Sequence, residues 1–118
     1  MAECLEMTLR SPYFEGVAEG TKTVEMRLFD EKRRSLAVGD TVVFRAVEDL
    51  RRAVTARIVS LTVYPDFTAL ARAHDPVSLG FPGKTPEEIG EGMRVFYSDG
   101  EIRTWGVLAI GLQRLTEA

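Results

Sequence analysis

The stretch Gly20-Thr-Lys-Thr-Val-Glu-Met-Arg27, running on through Leu28-Phe-Asp-Glu-Lys-Arg-Arg34 to the turn at Val38-Gly39-Asp40, decides how the chain is read. Gly20 suits the end of a short helix, because glycine takes the left-handed backbone after a last helical turn at little cost. The pattern then changes period. Val24, Met26 and Leu28 alternate with Thr23, Glu25 and Arg27, the two-residue repeat of a half-buried strand. Glu25 and Arg27 share the polar face, roughly 7 Å apart, and Lys22 stands at the strand's mouth. Such a strand either gathers Lys, Glu and Arg around a polar site or carries a surface ion pair contributing about 0–1 kcal/mol.

Working outward, 118 residues with 45% hydrophobic and 28% charged side chains suit one domain, 1–118, with an ordinary buried core. No apolar run approaches a membrane span, and no basic-then-apolar leader precedes the first strand. One cysteine, Cys4, excludes an intrachain disulfide and fits a reducing cytoplasm. With a single histidine beside it, neither a thiolate/imidazole metal site nor a cofactor is expected. The net charge is −3, but residues 22–57 carry nine bases against six acids. That balance argues against long duplex DNA, which rewards many phosphate contacts. It leaves room for one or two phosphates of a nucleotide or short strand. Nothing in the pattern specifies an oligomeric state.

The other elements follow from local signals. Residues 3–9 alternate as a first strand, with Cys4 expected to be buried or half-buried. Ser11-Pro12 opens a helix with Ser11 as its cap, and Tyr13, Phe14, Val17 and Ala18 form its apolar stripe. Asp30 caps a single turn that leaves Lys32, Arg33 and Arg34 on solvent. Thr41 to Val47 is a strand, joined by 48–51 to a long strand from Arg52 to Tyr64. Its apolar set changes phase between Ile58 and Val59, as a bulge or barrel corner demands. Asp66 caps a second helix that ends near His74. Residues 77–84 read as a loop, and Thr85-Pro-Glu-Glu88 is a capping box for a third helix reaching Phe96. Tyr97–Gly100 reads as a turn, and about 101–115 as a final strand buried on both faces.

Gly20-x-Lys22-x-x-Glu25-x-Arg27, with the 30–34 charged run and Gly39-Asp40, resembles the signature of the ASCH domain, a family related to the PUA domains of RNA-modifying proteins. The closing Trp105-Gly-Val-Leu-Ala-Ile110 is also similar to its small members. The resemblance implies an α+β fold: a small PUA-like mixed β-barrel of about five to six strands, with two to three short helices flanking a cleft. Lys22, Glu25 and Arg27 would line that cleft, and the partner would be RNA, a nucleotide or a nucleoside.

Two functional readings follow. In the first, the cleft binds RNA or a nucleotide, with Lys22, Glu25, Arg27, Lys32, Arg33 and Arg34 supplying polar contacts and Tyr97, Phe81 or Trp105 stacking a base. In the second, Lys22 and Glu25 are catalytic in a small hydrolase. One ASCH group resembles amidohydrolases acting on acylated cytidine, with a Lys, a Thr three residues later and a Glu from the helical segment. Lys22 matches the first, Glu25 replaces the Thr, and Glu87 or Glu88 lies nearest the third. A carboxylate supplies no hydroxyl nucleophile. Other members resemble ribonucleases, for which Lys22 with Tyr97 or Ser98 is the corresponding set.

Overall fold

Five strands and six helical segments follow one another through residues 4–115, the part of the chain that the computed structural model describes. In chain order, β1 (Cys4–Leu9), α1 (Tyr13–Glu19), β2 (Val24–Leu28) and α2 (Glu31–Arg34) lead to the hairpin of β3 (Thr41–Ala46) and β4 (Asp49–Tyr64). Four helices come next: α3 (Phe67–Arg72), α4 (Pro76–Leu79), α5 (Pro86–Met93) and α6 (Asp99–Trp105). The strand β5 (Val107–Arg114) closes the fold. Glu3, which the alternation assigns to the first strand, lies outside the described residues.

The strands form one sheet in the order β1-β3-β4-β5-β2. β1 runs parallel to β3, and the other neighbours are antiparallel. The sheet curls into a half-barrel of the α+β class. Its length comes from β4, whose first half pairs with β3 and second half with β5. Between Ile58 and Ser60 the β4–β5 register shifts, where the apolar set changes phase in the sequence. An extra residue there turns one strand from one partner to the next.

Two buried clusters lie on opposite faces of this sheet. Phe44, Val42, Ile58, Leu108 and Ile110 fill the barrel side with Phe14 and Val17 from α1. Val24, Met26, Leu28, Val107 and Ala109 face the helical layer of Phe67, Leu70, Leu79 and Ile89. β5 thus sends alternate residues to both cores, which is why 107–110 is apolar throughout. β2 gives only its even residues to the helical layer. Its odd residues, Glu25 and Arg27, pair in register with Ile110 and Leu108 and share the barrel face with them.

Several local expectations need correction. Cys4 is exposed, because β1 is an edge strand whose outer face meets water. Ser11 does not cap α1; Pro12 occupies the cap position without a side-chain cap bond, while the Ser11 hydroxyl donates to Glu15. The hairpin turns at 47–48, so β4 begins three residues early, at Asp49. Residues 76–79 form a short helix capped by Asp75, and α5 ends at Met93. The largest difference is α6, where a turn and the start of a strand were expected. Ser98 accepts from the Glu101 amide while Glu101 accepts from the Ser98 amide, so a reciprocal cap holds seven residues helical despite Gly100.

This cap gives a direct test. Ser98→Ala removes one half of the box and should lower stability by about 1 kcal/mol. A lower urea midpoint with an unchanged denaturant slope is the expected result.

Candidate functional site

The half-barrel leaves β1 and β2 as its two unpaired edges, and the signature residues close the seam between them. Gly20 adopts φ 86° and ends α1, after which the Lys22 amide donates back to the Gly16 carbonyl at 3.0 Å. This sends the Lys22 side chain inward, where only 3% of the residue is exposed. Its ammonium donates to the carbonyls of Val24 at 2.8 Å and Leu79 at 2.9 Å. Glu25 Oε1 lies 3.2 Å away. An ammonium has three protons, and each has a protein acceptor. Gly80, at φ 89°, leaves space for the lysine stem: a Cβ there would come within 3.1 Å of Lys22 Cδ and 3.2 Å of the Tyr13 ring.

Glu25 is equally enclosed, at 6% exposure. Besides Lys22, Oε1 accepts from the Met26 amide at 3.0 Å. Oε2 accepts from Arg27 Nε at 2.9 Å and lies 2.7 Å from Nη2. Two hydrogen bonds and two close cationic contacts thus hold the carboxylate. Arg27 then reaches across the seam, its Nη2 donating to the Thr8 carbonyl of β1 at 3.0 Å. The sheet's open edges are therefore tied through one buried carboxylate.

Burial alone would raise the Glu25 carboxyl, but Lys22 and then Arg27 outweigh it and hold it below the usual carboxylate range. Burial draws the Lys22 ammonium below the usual lysine range, with Glu25 opposing that shift. The group at the centre of the seam is an ionised glutamate between two cations.

Above this floor opens a cleft of about 330 Å³, lined by Lys22, Glu25 and Arg27 together with Thr8, Arg10, Tyr13, Phe81, Met93, Phe96 and Tyr97. Its walls are aromatic. Tyr13 and Phe81 meet at 5.2 Å with a 48° tilt, and Tyr97 is pinned by stacking on Phe67. Arg10 lies over the Phe96 ring at 4.9 Å.

The structure separates the remaining sequence candidates. Lys32 and Arg33 line a neighbouring cleft. Arg34 stacks over Phe29 and Trp105, and neither Arg34 nor Trp105 lines the aromatic cleft. Glu87 pairs with exposed Arg72, and Glu88 belongs to the α5 cap; neither reaches the cleft. Ser98 is occupied as the α6 cap, and His74 Nε2 lies 3.4 Å from the Tyr64 hydroxyl, outside both clefts. Sequence reasoning missed Arg10 and Phe96, and read Tyr13 only as core. Nothing local marks them, since they converge through the crossing of β1, α1 and the segment after α5.

The ASCH domain model matches residues 7–115. The chain belongs to the ASCH domain family. This is a PUA-like fold family often linked to RNA binding. Among solved structures, the chain is similar to the crystal structure of a hypothetical protein, PH0355, with a TM-score of 0.84 and 28% identity over 95% of this chain and 99% of that one. It is similar also to the solution structure of PF0455 from Pyrococcus furiosus, with a TM-score of 0.73 and 28% identity over 97% and 99% of the two chains. A ZmASCH S128A mutant from Zymomonas mobilis shares the fold at a TM-score of 0.56 and 15% identity, over 92% of this chain and 66% of that one. No curated protein matches.

The buried triad predicts a specific pH response. Glu25 is depressed below its ordinary 4.5 in the folded state, so its stabilising contribution is complete above that pH and is lost as pH falls through the lowered folded value. Glu25→Gln should cost about 3–5 kcal/mol near neutrality, by leaving buried cations uncompensated. It should also flatten the acid limb of stability against pH. Unfolding by urea between neutral and acid pH measures both, and a variant as stable as wild type would show that the triad does not hold the seam.

Proposed function

We propose that this ASCH domain is a binding module that holds a base of a nucleotide or single-stranded RNA segment in the aromatic cleft. The observation that carries the reading is the pairing of aromatic walls and Arg10 with a floor where two cations meet one carboxylate and leave a positive charge. Rings offer a face to any base, and the Arg10 guanidinium presents a fork that fits phosphate oxygens, while Arg27, whose Nε and Nη2 are held by Glu25 and Thr8, has only Nη1 left to offer. Lys22 and Glu25 act as positioning residues: they fix the strand and the angle at which Arg27 leaves it. The family's frequent link to RNA binding supports the same class of ligand.

The hydrolase alternative asks more of the same residues. Lys22 as a base must first lose a proton that a buried carbonyl or Glu25 accepts. Glu25 as a proton acceptor would have to act from a buried site where two hydrogen bonds and two close cations already hold its oxygens and favour its ionised form. A general base must also reach its proton within hydrogen-bond distance. The geometry favours binding.

Calorimetric titration with ribonucleosides, nucleoside 5′-monophosphates and short RNA, at about 0.15 M salt to screen loose attraction, tests this. Wild type should show saturable binding, and Tyr13→Ala or Phe81→Ala should weaken it about 5- to 150-fold, the range for losing one stacked base. Arg10→Ala should weaken the phosphate-bearing ligands and spare the nucleosides. No saturable binding by folded wild type would sink the reading, and turnover of any probe would favour the hydrolase.

A further inference from the structure

The basic run that the sequence singles out does not enter the aromatic cleft. Lys32 and Arg33 instead line a second cleft of about 340 Å³, together with Arg45 from β3 and Glu6 from β1. The two clefts share Thr8 and Arg27. They adjoin along the β1–β2 seam at the point where the Arg27 guanidinium bridges to the Thr8 carbonyl of β1.

The two clefts differ in chemistry. The second has no aromatic ring, and its lining sets four cations against one carboxylate. Lys32 makes no side-chain hydrogen bond or ion pair among the described residues. Arg33 gives one N–H to Asp30 at 2.8 Å, but its Nε is buried without an acceptor, the only such side-chain atom found among the described residues. A buried donor left unmatched is costly, and a small turn of the guanidinium toward an anion in the cleft would relieve it. Arg45 is held by Glu6 at 3.0 Å, in a pair whose side chains are 38% and 63% exposed. Water screens such a pair, so it can open for a phosphate, which accepts from the arginine fork at least as well.

We propose that the second cleft is a phosphodiester subsite. A single RNA strand crosses Arg27, placing one base among the aromatic rings and the adjoining phosphate against Lys32, Arg33 and Arg45. This rests on the reading that the aromatic cleft takes a base, and it narrows the ligand from a free nucleotide to an oligonucleotide of at least two linked residues. A duplex does not fit the arrangement, because a base must leave its stack to enter the first cleft.

The test compares wild type with the Lys32→Ala/Arg45→Ala double variant. Both are titrated calorimetrically with the four ribonucleosides, their 5′-monophosphates, a mixed-sequence RNA tetranucleotide and the same tetranucleotide with uncharged methylphosphonate linkages. In wild type, the charged tetranucleotide should bind at least about tenfold tighter than any nucleoside. The double variant should lose that advantage while binding nucleosides as wild type does. Its slope of log affinity against log salt should fall by about one, as expected when one or two phosphate contacts are removed from a single strand. The methylphosphonate strand should bind wild type no better than a nucleoside, a readout that needs no variant to fold. Equal affinity for charged and uncharged strands, or an unaffected double variant, overturns the phosphodiester subsite and leaves the base-binding reading intact. Absence of nucleoside and tetranucleotide binding in wild type overturns both.

Discussion

The structure depends on one ionised carboxylate placed where an unclosed barrel would otherwise come apart. A half-barrel has two edges with unpaired backbone groups, and here they are β1 and β2. Glu25 accepts from Lys22 on one side and Arg27 on the other, and Arg27 spans to the β1 carbonyl of Thr8. Lys22 also bonds the last carbonyl of α4, at Leu79. The helical layer, the second strand and the first strand therefore meet at a single charged cluster. Taking three charges out of water is costly, and it is sustained here because nearly every donor and acceptor is matched.

That cluster also explains why the cleft is placed where it is. Hydrophobic closure of the seam would fill it with side chains. A charged bridge of fixed length keeps β1 and β2 apart and leaves space above it, which Tyr13, Phe81 and Tyr97 line without filling. The division of labour between the faces of β2 makes this possible. Even residues anchor the strand in the helical core, so the odd ones are free to carry charge.

Much of this was legible from residue order. The two-residue repeat of 23–28 located β2, the phase change at Ile58–Val59 located the register shift, and Asp30, Asp66 and Thr85 announced three helix starts. Lys22, Glu25 and Arg27 were recognisable as a set from the family signature. Their depth was not, because alternation alone describes an exposed polar face as well as a buried one. The α6 segment was misread for a physical reason: Glu101-Ile-Arg-Thr-Trp105 alternates like a strand, and Gly100 looks like a turn. The reciprocal Ser98–Glu101 cap and the burial of Ile102 outweigh both. Adjacency misled in the basic run, since Lys32 and Arg33 line the second cleft while Arg34 leaves the same helical turn to stack over Phe29 and Trp105.

The position of Trp105 has a spectroscopic consequence. It is the protein's single tryptophan, and it ends α6 beneath the Arg34 guanidinium, packed against the helical core. It lines neither cleft, so the natural chromophore reports first on cohesion between the helices and the sheet and only indirectly on the groove. An optical reporter of occupancy has to be installed in the cleft wall, and Tyr97, already held flat against Phe67, is the position where an indole would sit in a defined orientation.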